Sequence, residues 1–462
     1  MPTFFKPIPL YCHDFPPFPL SETVEEPSFR RLMQKAQVFS LENDSTIRNR
    51  LTHSLEVADV GKSLAHEVGK RLCSLELADS EDADCLVAIV ENACLVHDIG
   101  NPPFGHFGEK AIQKWFAKNK KSILHVDGEI NISVDQESYN DLMLFDGNSQ
   151  GFRILTKLHA VPDDYNLNLS YSTLLTMLKY PCCNNAEKKE YGLKKIGMFS
   201  GEKNTYNKIC EKTGHIIGTR YFLVYLMELA DDICYCLSDI ADGFEKKIVD
   251  SRFFKEELRK IIDNLSSNKE EAEEIIEKFI PSGTIKNFSQ EFRIPLCESC
   301  IQSASKYFAD NIQHYLTGKG CDELSAVIKE GLVLKGIKDF ARKYIYTNSE
   351  VQRIEIAGDY IVKSLLDHYG LLLEMETDDF RYFCNNHTNL PDSNYDYEWR
   401  VFNQLSKRMI KAYDFAYKNN TKKKDRYLLE KILRSKLIVD YISGMTDQTA
   451  LSQYQNFRGI KL

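Results

Sequence analysis

At 462 residues, 43% hydrophobic and 27% charged, the chain has material for a large core, while no apolar run approaches the roughly 18 residues that a membrane helix needs. A net charge of -8 excludes a protein that coats nucleic acid by bulk electrostatics, although basic runs occur at Lys118, Lys120 and Lys121 and at Lys422, Lys423 and Lys424. The proline-rich start has neither the basic nor the continuous apolar part of a secretory signal, and the thirteen cysteines are scattered through periodic apolar segments, as at Cys94 and Cys236. Both features read as a cytoplasmic protein with free thiols. Cys297 and Cys300 form a single CxxC with no second pair at zinc-finger spacing, and Cys182 with Cys183 is a bare doublet.

Helical periodicity dominates and predicts an all-α fold. In chain order, a first helix begins near Leu51 with apolar residues at Leu51, Leu55, Val60, Leu64 and Val68. Cys85 to Val96 is almost wholly apolar and reads as a buried helix. Gly100, Pro102, Pro103, Gly105 and Gly108 then force a tight loop before a helix from about Phe107 to Ala117. Residues 121–150 and 180–215 are poorer in helical pattern, and the first stretch has room for a short hairpin. A further helix around Asp231 is followed, from about 250 onward, by charged amphipathic helices such as Phe253–Leu265 and Tyr427–Ile442. We expect a chemical core over residues 1–250, including an N-terminal extension, and a helical C-terminal region over 251–462 packed on it.

Three separated helices offer metal-ligand residue types: His53 in RLTHSLEV, His97 and Asp98 in ACLVHDIGNPPFGHFGE, and Asp231 in YLMELADDICYCLSD. Two imidazoles and two carboxylates suit one divalent ion of intermediate hardness with open positions, such as Mn²⁺, Mg²⁺ or Fe²⁺. His97 and Asp98 end an apolar run, where burying such groups without partners is costly, and a shared cation would satisfy both. Around Asp231, Phe222, Leu226, Leu229, Ile233 and Leu237 form one apolar stripe, while Asp231, Tyr235 and Asp239 recur every four residues as a polar row. Asp232 lies about 100° further round the helix, so Asp231 is the expected ligand. A row of Asp, Tyr and Asp also suits a sugar. Arg50, three residues before His53, shares its face and can grip phosphate. His106 and Glu109, three apart at a helix start, can meet as an acid and its support.

The segments RLTHS, HDIGNPPFGHFGE, FDGNSQGFR and LMELADDICYCLSD together resemble the bacterial deoxyguanosine triphosphate triphosphohydrolases of the HD superfamily. Weaker similarity appears in RRLMQKAQVF, LNLSYSTLLTMLKYP and DYISGMTDQTA. The resemblance implies that His53, His97, Asp98 and Asp231 hold one metal ion and that His106 and Glu109 are catalytic. It also implies that Arg50 meets the phosphates and that Tyr235 and Asp239 meet the deoxyribose, with Asn148, Gln34 and Gln37 further substrate contacts. The implied reaction cleaves between the 5'-oxygen and the α-phosphorus of a dNTP, with dGTP favoured, releasing a deoxynucleoside and tripolyphosphate. A homo-oligomer, hexamer or tetramer, is implied as well, with room for single-stranded DNA or a nucleotide effector and no membrane. The competing readings are another HD phosphohydrolase, such as a nucleotidase or phosphodiesterase, and a catalytically quiet nucleotide or single-stranded-DNA sensor.

Overall fold

The computed structural model describes residues 26–42, 44–126, 129–130, 136–158, 169–280, 285–385, 395–419 and 426–460. The proline-rich start and the Lys422 to Lys424 run lie outside these residues. The helices that matter here are α1 (Arg50–Ser74), α2 (Ser80–Val96), α3 (Gly105–Leu124), α4 (Gly147–Arg153), α5 (Val224–Glu245), α6 (Ser251–Leu265), α7 (Ile294–Asp310), α8 (Gly331–Tyr344), α9 (Arg426–Ser443) and α10 (Asp447–Phe457). The all-α expectation holds. Pairing between named strands among the described residues is confined to β1 (His125–Val126) and β2 (Glu129–Ile130), antiparallel, which is the short hairpin expected within 121–150. Residues 180–215 are more regular than their composition suggests, with helices at Asn185–Glu190 and Lys203–Thr213.

Two compact units are interleaved along the chain. The first comprises the described parts of Met1–His97, Leu169–Pro181 and Asn207–Ile354. Within it, α1 starts at a capping box: the Asn49 side chain accepts from Thr52 N, and the Thr52 hydroxyl accepts from Asn49 N. Two of the orphan amides at that helix start are thereby satisfied. The α2 start repeats the device with Asp79 and Asp82. Glycines let the two helices meet closely, since a Cβ at Gly61 would lie 2.5 Å from Cys94 Sγ and one at Gly69 would lie 2.9 Å from Ala83 Cβ. The buried stripe of α1 is Val57, Leu64, Val68 and Leu72. Leu55, expected on that stripe, is 47% exposed, because it lies two residues from Val57 and a helix turns about 200° over that step. Helix α5 buries Leu226, Leu229, Ile233 and Leu237, and Phe222 just before it is buried as well, as their spacing predicts. Helix α7 packs on α1, and α6 on α8.

The second unit comprises the described parts of Asp98–Asn168, Cys182–Tyr206 and Glu355–Leu462. The helix expected at Tyr427–Ile442 is α9, but four of its charged residues do not face water. Glu430, Arg434, Lys436 and Asp440 are buried, and each finds an opposite charge. Arg434 Nε donates to Glu430 Oε1 at 2.9 Å, Lys436 pairs with Asp141 at 2.7 Å, and Asp440 pairs with Arg153 at 2.7 Å. Buried charges need such partners; Arg434 and Glu430 find each other one turn apart, whereas those of Lys436 and Asp440 come from other segments that no local pattern reveals. The twelve described cysteines are all free, and Cys297 and Cys300 sit on α7.

Candidate active site

His53 lies in the first turn of α1 and His97 directly follows the last residue of α2. Both imidazoles are buried, with ring centroids 5.5 Å apart. His97 Nδ1 lies 2.6 Å from Cys94 O, which takes up that nitrogen as a donor and makes Nε2 the atom that could coordinate an ion. His97 Nε2 and His53 Nε2 lie 3.5 and 3.2 Å from one oxygen of Asp231. The next residue, Asp98, has its carboxylate fixed by Asn101 Nδ2 at 2.6 Å. One donor atom each from His53, His97 and Asp98 lies within 4.8 Å of the others. Two imidazoles and two carboxylates, with His97 and Asp98 held by outer partners, fit a single divalent ion.

Asp231 rather than Asp232 turns toward the imidazoles. Asp232 is taken up by Lys338 Nζ at 2.7 Å and the Ser325 hydroxyl at 3.1 Å. Burial would raise the Asp231 carboxyl, but Lys179 and the two histidines outweigh it and hold the group well below its usual range. Lys179, whose Nζ lies 2.7 Å from Asp231 Oδ2, had no assigned role in the sequence. It sits in LNLSYSTLLTMLKYP, and its nearness to Asp231 across 52 residues has no local signal.

The polar row of α5 closes on a residue far away in sequence. The Tyr346 hydroxyl bonds to Asp239 and lies 2.8 Å from the Tyr235 hydroxyl. One hydroxyl has one proton, so Tyr346 donates to one neighbour and accepts from the other. Burial pushes the Asp239 carboxyl up to about 8, against the Tyr346 hydrogen bond and the charges of Arg48 and Arg50. Arg50 is buried at the start of α1, and its charge acts on both Tyr235 and Asp239. The ion cluster of Arg48 with Glu56 at 3.0 Å and Asp242 at 2.6 Å fixes this end of α1 against α5. Gln37 is half-buried and its Oε1 is enclosed without a hydrogen-bond partner, whereas Gln34 is exposed.

In the second unit, His106 and Glu109 meet as their spacing suggests. Glu109 Oε2 lies 2.8 Å from His106 Nδ1, with the His106 side chain 72% exposed and that of Glu109 9% exposed. The other carboxylate oxygen accepts from the amide of Gly147 at 2.8 Å, the first residue of α4. Glu109 is thus held at both oxygens, and His106 keeps Nε2 available to a reacting partner. Asn148 is half-buried on α4, its Nδ2 donating to Asp146 Oδ1 at 2.7 Å.

Comparisons with known proteins agree with this chemistry. Residues 50–130 match the HD domain, and residues 399–456 match the phosphohydrolase-associated domain. A probable deoxyguanosinetriphosphate triphosphohydrolase of Pseudomonas aeruginosa is 32% identical, covering 94% of this chain and 90% of its own length. The deoxyguanosinetriphosphate triphosphohydrolase of Klebsiella pneumoniae is 31% identical over 95% of this chain and 92% of its own. A deoxyguanosinetriphosphate triphosphohydrolase-like protein of Listeria innocua is 30% identical over 94% and 91%. Among the described residues, no helix is long and apolar enough to cross a membrane.

Proposed function

Because the chain belongs to the deoxyguanosinetriphosphate triphosphohydrolase family of HD-domain proteins, we propose that it hydrolyses dGTP, and related dNTPs less well, to deoxynucleoside and tripolyphosphate. The observation that carries this reading is the convergence of His53, His97 and Asp98 donor atoms within 4.8 Å beside Asp231. These four residues would hold the ion, with Mn²⁺, Mg²⁺ or Fe²⁺ suited to the mixed donors. Once bound, such an ion supplies Lewis acidity at an α-phosphate oxygen and lowers the pKa of the attacking water.

Arg50 and Lys179 offset the charge that develops on the phosphates. The 5'-alkoxide is a poor leaving group, and His106 donates the proton it needs while Glu109 orients the imidazole and balances its charge. Tyr235 and Asp239 receive the deoxyribose, with Tyr346 fixing both. Gln37 offers its enclosed oxygen to a base or sugar donor, Asn148 contacts the phosphates, and Gln34 completes the substrate contacts from the surface. We further assign the protein to the cytoplasm as a homo-oligomer, hexamer or tetramer, open to a nucleotide or single-stranded-DNA effector. Residues 1–250 carry the chemistry in this reading, and residues 251–462 support them. Relatives of the same name along nearly the whole chain do not favour another HD phosphohydrolase or a quiet sensor.

The test is chromatographic separation of the phosphate products formed from each dNTP with added Mn²⁺ or Mg²⁺. Stoichiometric tripolyphosphate and deoxynucleoside, fastest from dGTP, is the expected result. Release of pyrophosphate or orthophosphate as the first product, or no release from any dNTP, would overturn the reading.

A further inference from the structure

The stretch from the last turn of α9 to the first residue of α10, DYISGMTD, carries none of the reacting groups named above. Its first and last carboxylates nevertheless hold the two pieces of chain on which the His106–Glu109 pair depends. Asp447, 3% exposed, accepts a hydrogen bond from the backbone N–H of Phe104 at 2.9 Å. Phe104 has φ of 60° and Gly105 has φ of 53°. Glycine adopts that region freely, whereas a phenylalanine stays there only when its surroundings over-determine it. Two contacts do so: Asp447 on the amide, and the backbone of residue 358 on the ring, where a Cβ at Gly358 would come within 2.5 Å of Phe104. His106 is two residues further on, in the first turn of α3.

The second clamp is Asp440, also 3% exposed. It holds Arg153 through both oxygens, at 2.9 Å to Nε and 2.7 Å to Nη2, and accepts from Gln150 Nε2 at 2.9 Å. A planar guanidinium bound in this bidentate way is fixed in orientation as well as place. Arg153 and Gln150 lie on α4, and α4 is the helix whose first amide reaches Glu109. Its seat has no slack. A Cβ at Gly100 would lie 2.1 Å from both Gly147 O and Gly151 N, and one at Gly147 would lie 2.7 Å from Asn101 Oδ1.

We propose that Asp447 and Asp440 are positioning residues that hold the His106–Glu109 pair in register, the first through the left-handed Phe104–Gly105 corner and the second through α4. The phosphohydrolase-associated segment, which contains both, thereby acts on the chemical step. This rests on the assignment of His106 and Glu109 as the acid pair.

The experiment is a cycle read on dGTP turnover at saturating metal: parent, Asp447→Ala, Asp447→Asn, His106→Ala and the His106→Ala/Asp447→Ala double variant, assayed well below each melting midpoint. Displacing reacting groups by about 1 Å costs on the order of 10²-fold. Asp447→Ala is therefore expected to lower kcat by about that factor while KM and metal content stay near the parent's. Asp447→Asn keeps an oxygen for the Phe104 amide and should restore most of kcat. In the His106→Ala background, Asp447→Ala should cost nothing further, because the step it serves is already lost. A His106→Ala enzyme within a few-fold of the parent rate would mean that the acid-pair reading itself fails. An inactive His106→Ala enzyme alongside an Asp447→Ala enzyme with parental kcat, or with the same loss in both backgrounds, would overturn the positioning role alone. Should Asp447→Ala not accumulate as folded protein, the same split between kcat and KM is read on Asp440→Asn, where an unchanged kcat overturns the proposal.

Discussion

Replacing Asp239 by asparagine should make the protein more stable at neutral pH. Asp239 is 1% exposed, and burial lifts its carboxyl from an ordinary 3.8 to about 8. A raised folded pKa means that the folded state holds a proton which the unfolded chain has released. The contribution of this group to stability is therefore complete below about pH 3.8 and is lost progressively as pH rises to about 8. Within that window the loss follows one proton, about 1.4 kcal/mol per pH unit. At pH 7, about three units above the ordinary value, the accumulated cost is about 4 kcal/mol. Asparagine keeps an oxygen for the Tyr346 hydroxyl but does not titrate, so it removes the slope. Urea unfolding of parent and Asp239→Asn in chelator, at several values between about pH 5 and pH 8, measures the difference directly. The parent should lose about 1.4 kcal/mol per pH unit more than the variant. Parallel pH dependences would show that Asp239 is not the proton-binding group, and the burial argument would fall.

His97→Ala and Asp98→Ala should each lose bound metal together with activity, since the remaining ligands are too few to hold the ion; full occupancy in both variants by elemental analysis would remove them from the ligand set. The enzyme should turn over dGTP far faster than GTP, because a site closed by Tyr235, Asp239 and Tyr346 leaves an added 2'-hydroxyl clashing or unpaired; equal turnover would show that this row does not select the sugar. Arg434→Met leaves Glu430 charged and enclosed, both side chains being 0% exposed, at a cost of about 3–5 kcal/mol; a melting midpoint equal to the parent's would contradict that.

What could be read from the sequence follows the range of the interactions involved. Helices α1, α2 and α5 were visible because their apolar residues recur at helical spacing, and the His106–Glu109 contact because it spans one turn. The hairpin at His125 to Ile130 was likewise local. Leu55 misled because an apolar residue two positions from a buried one lies on the far side of the helix. Lys179 and Tyr346 escaped notice because their partners, Asp231 and Asp239, lie 52 and 107 residues away. Helix α9 was legible only as a charged amphipathic helix because periodicity reports polarity and is blind to a partner such as Asp141, 295 residues distant from Lys436. Interleaved units compound the difficulty, since residues adjacent in a core come from three separate stretches of chain.

The close approach of Gly61 to Cys94 has a consequence for redox chemistry. If a methyl-sized group at position 61 would fall 2.5 Å from the sulfur, that side of Cys94 has no volume for an oxygen or an alkyl group. Burial also pushes its thiol far above the ordinary range, so the thiolate that would attack peroxide or iodoacetamide is scarcely formed. The carbonyl of this same residue anchors His97, and the helix contact therefore shields that support from oxidation. Loss of activity under mild thiol reagents would then trace to half-buried cysteines such as Cys73 or Cys85.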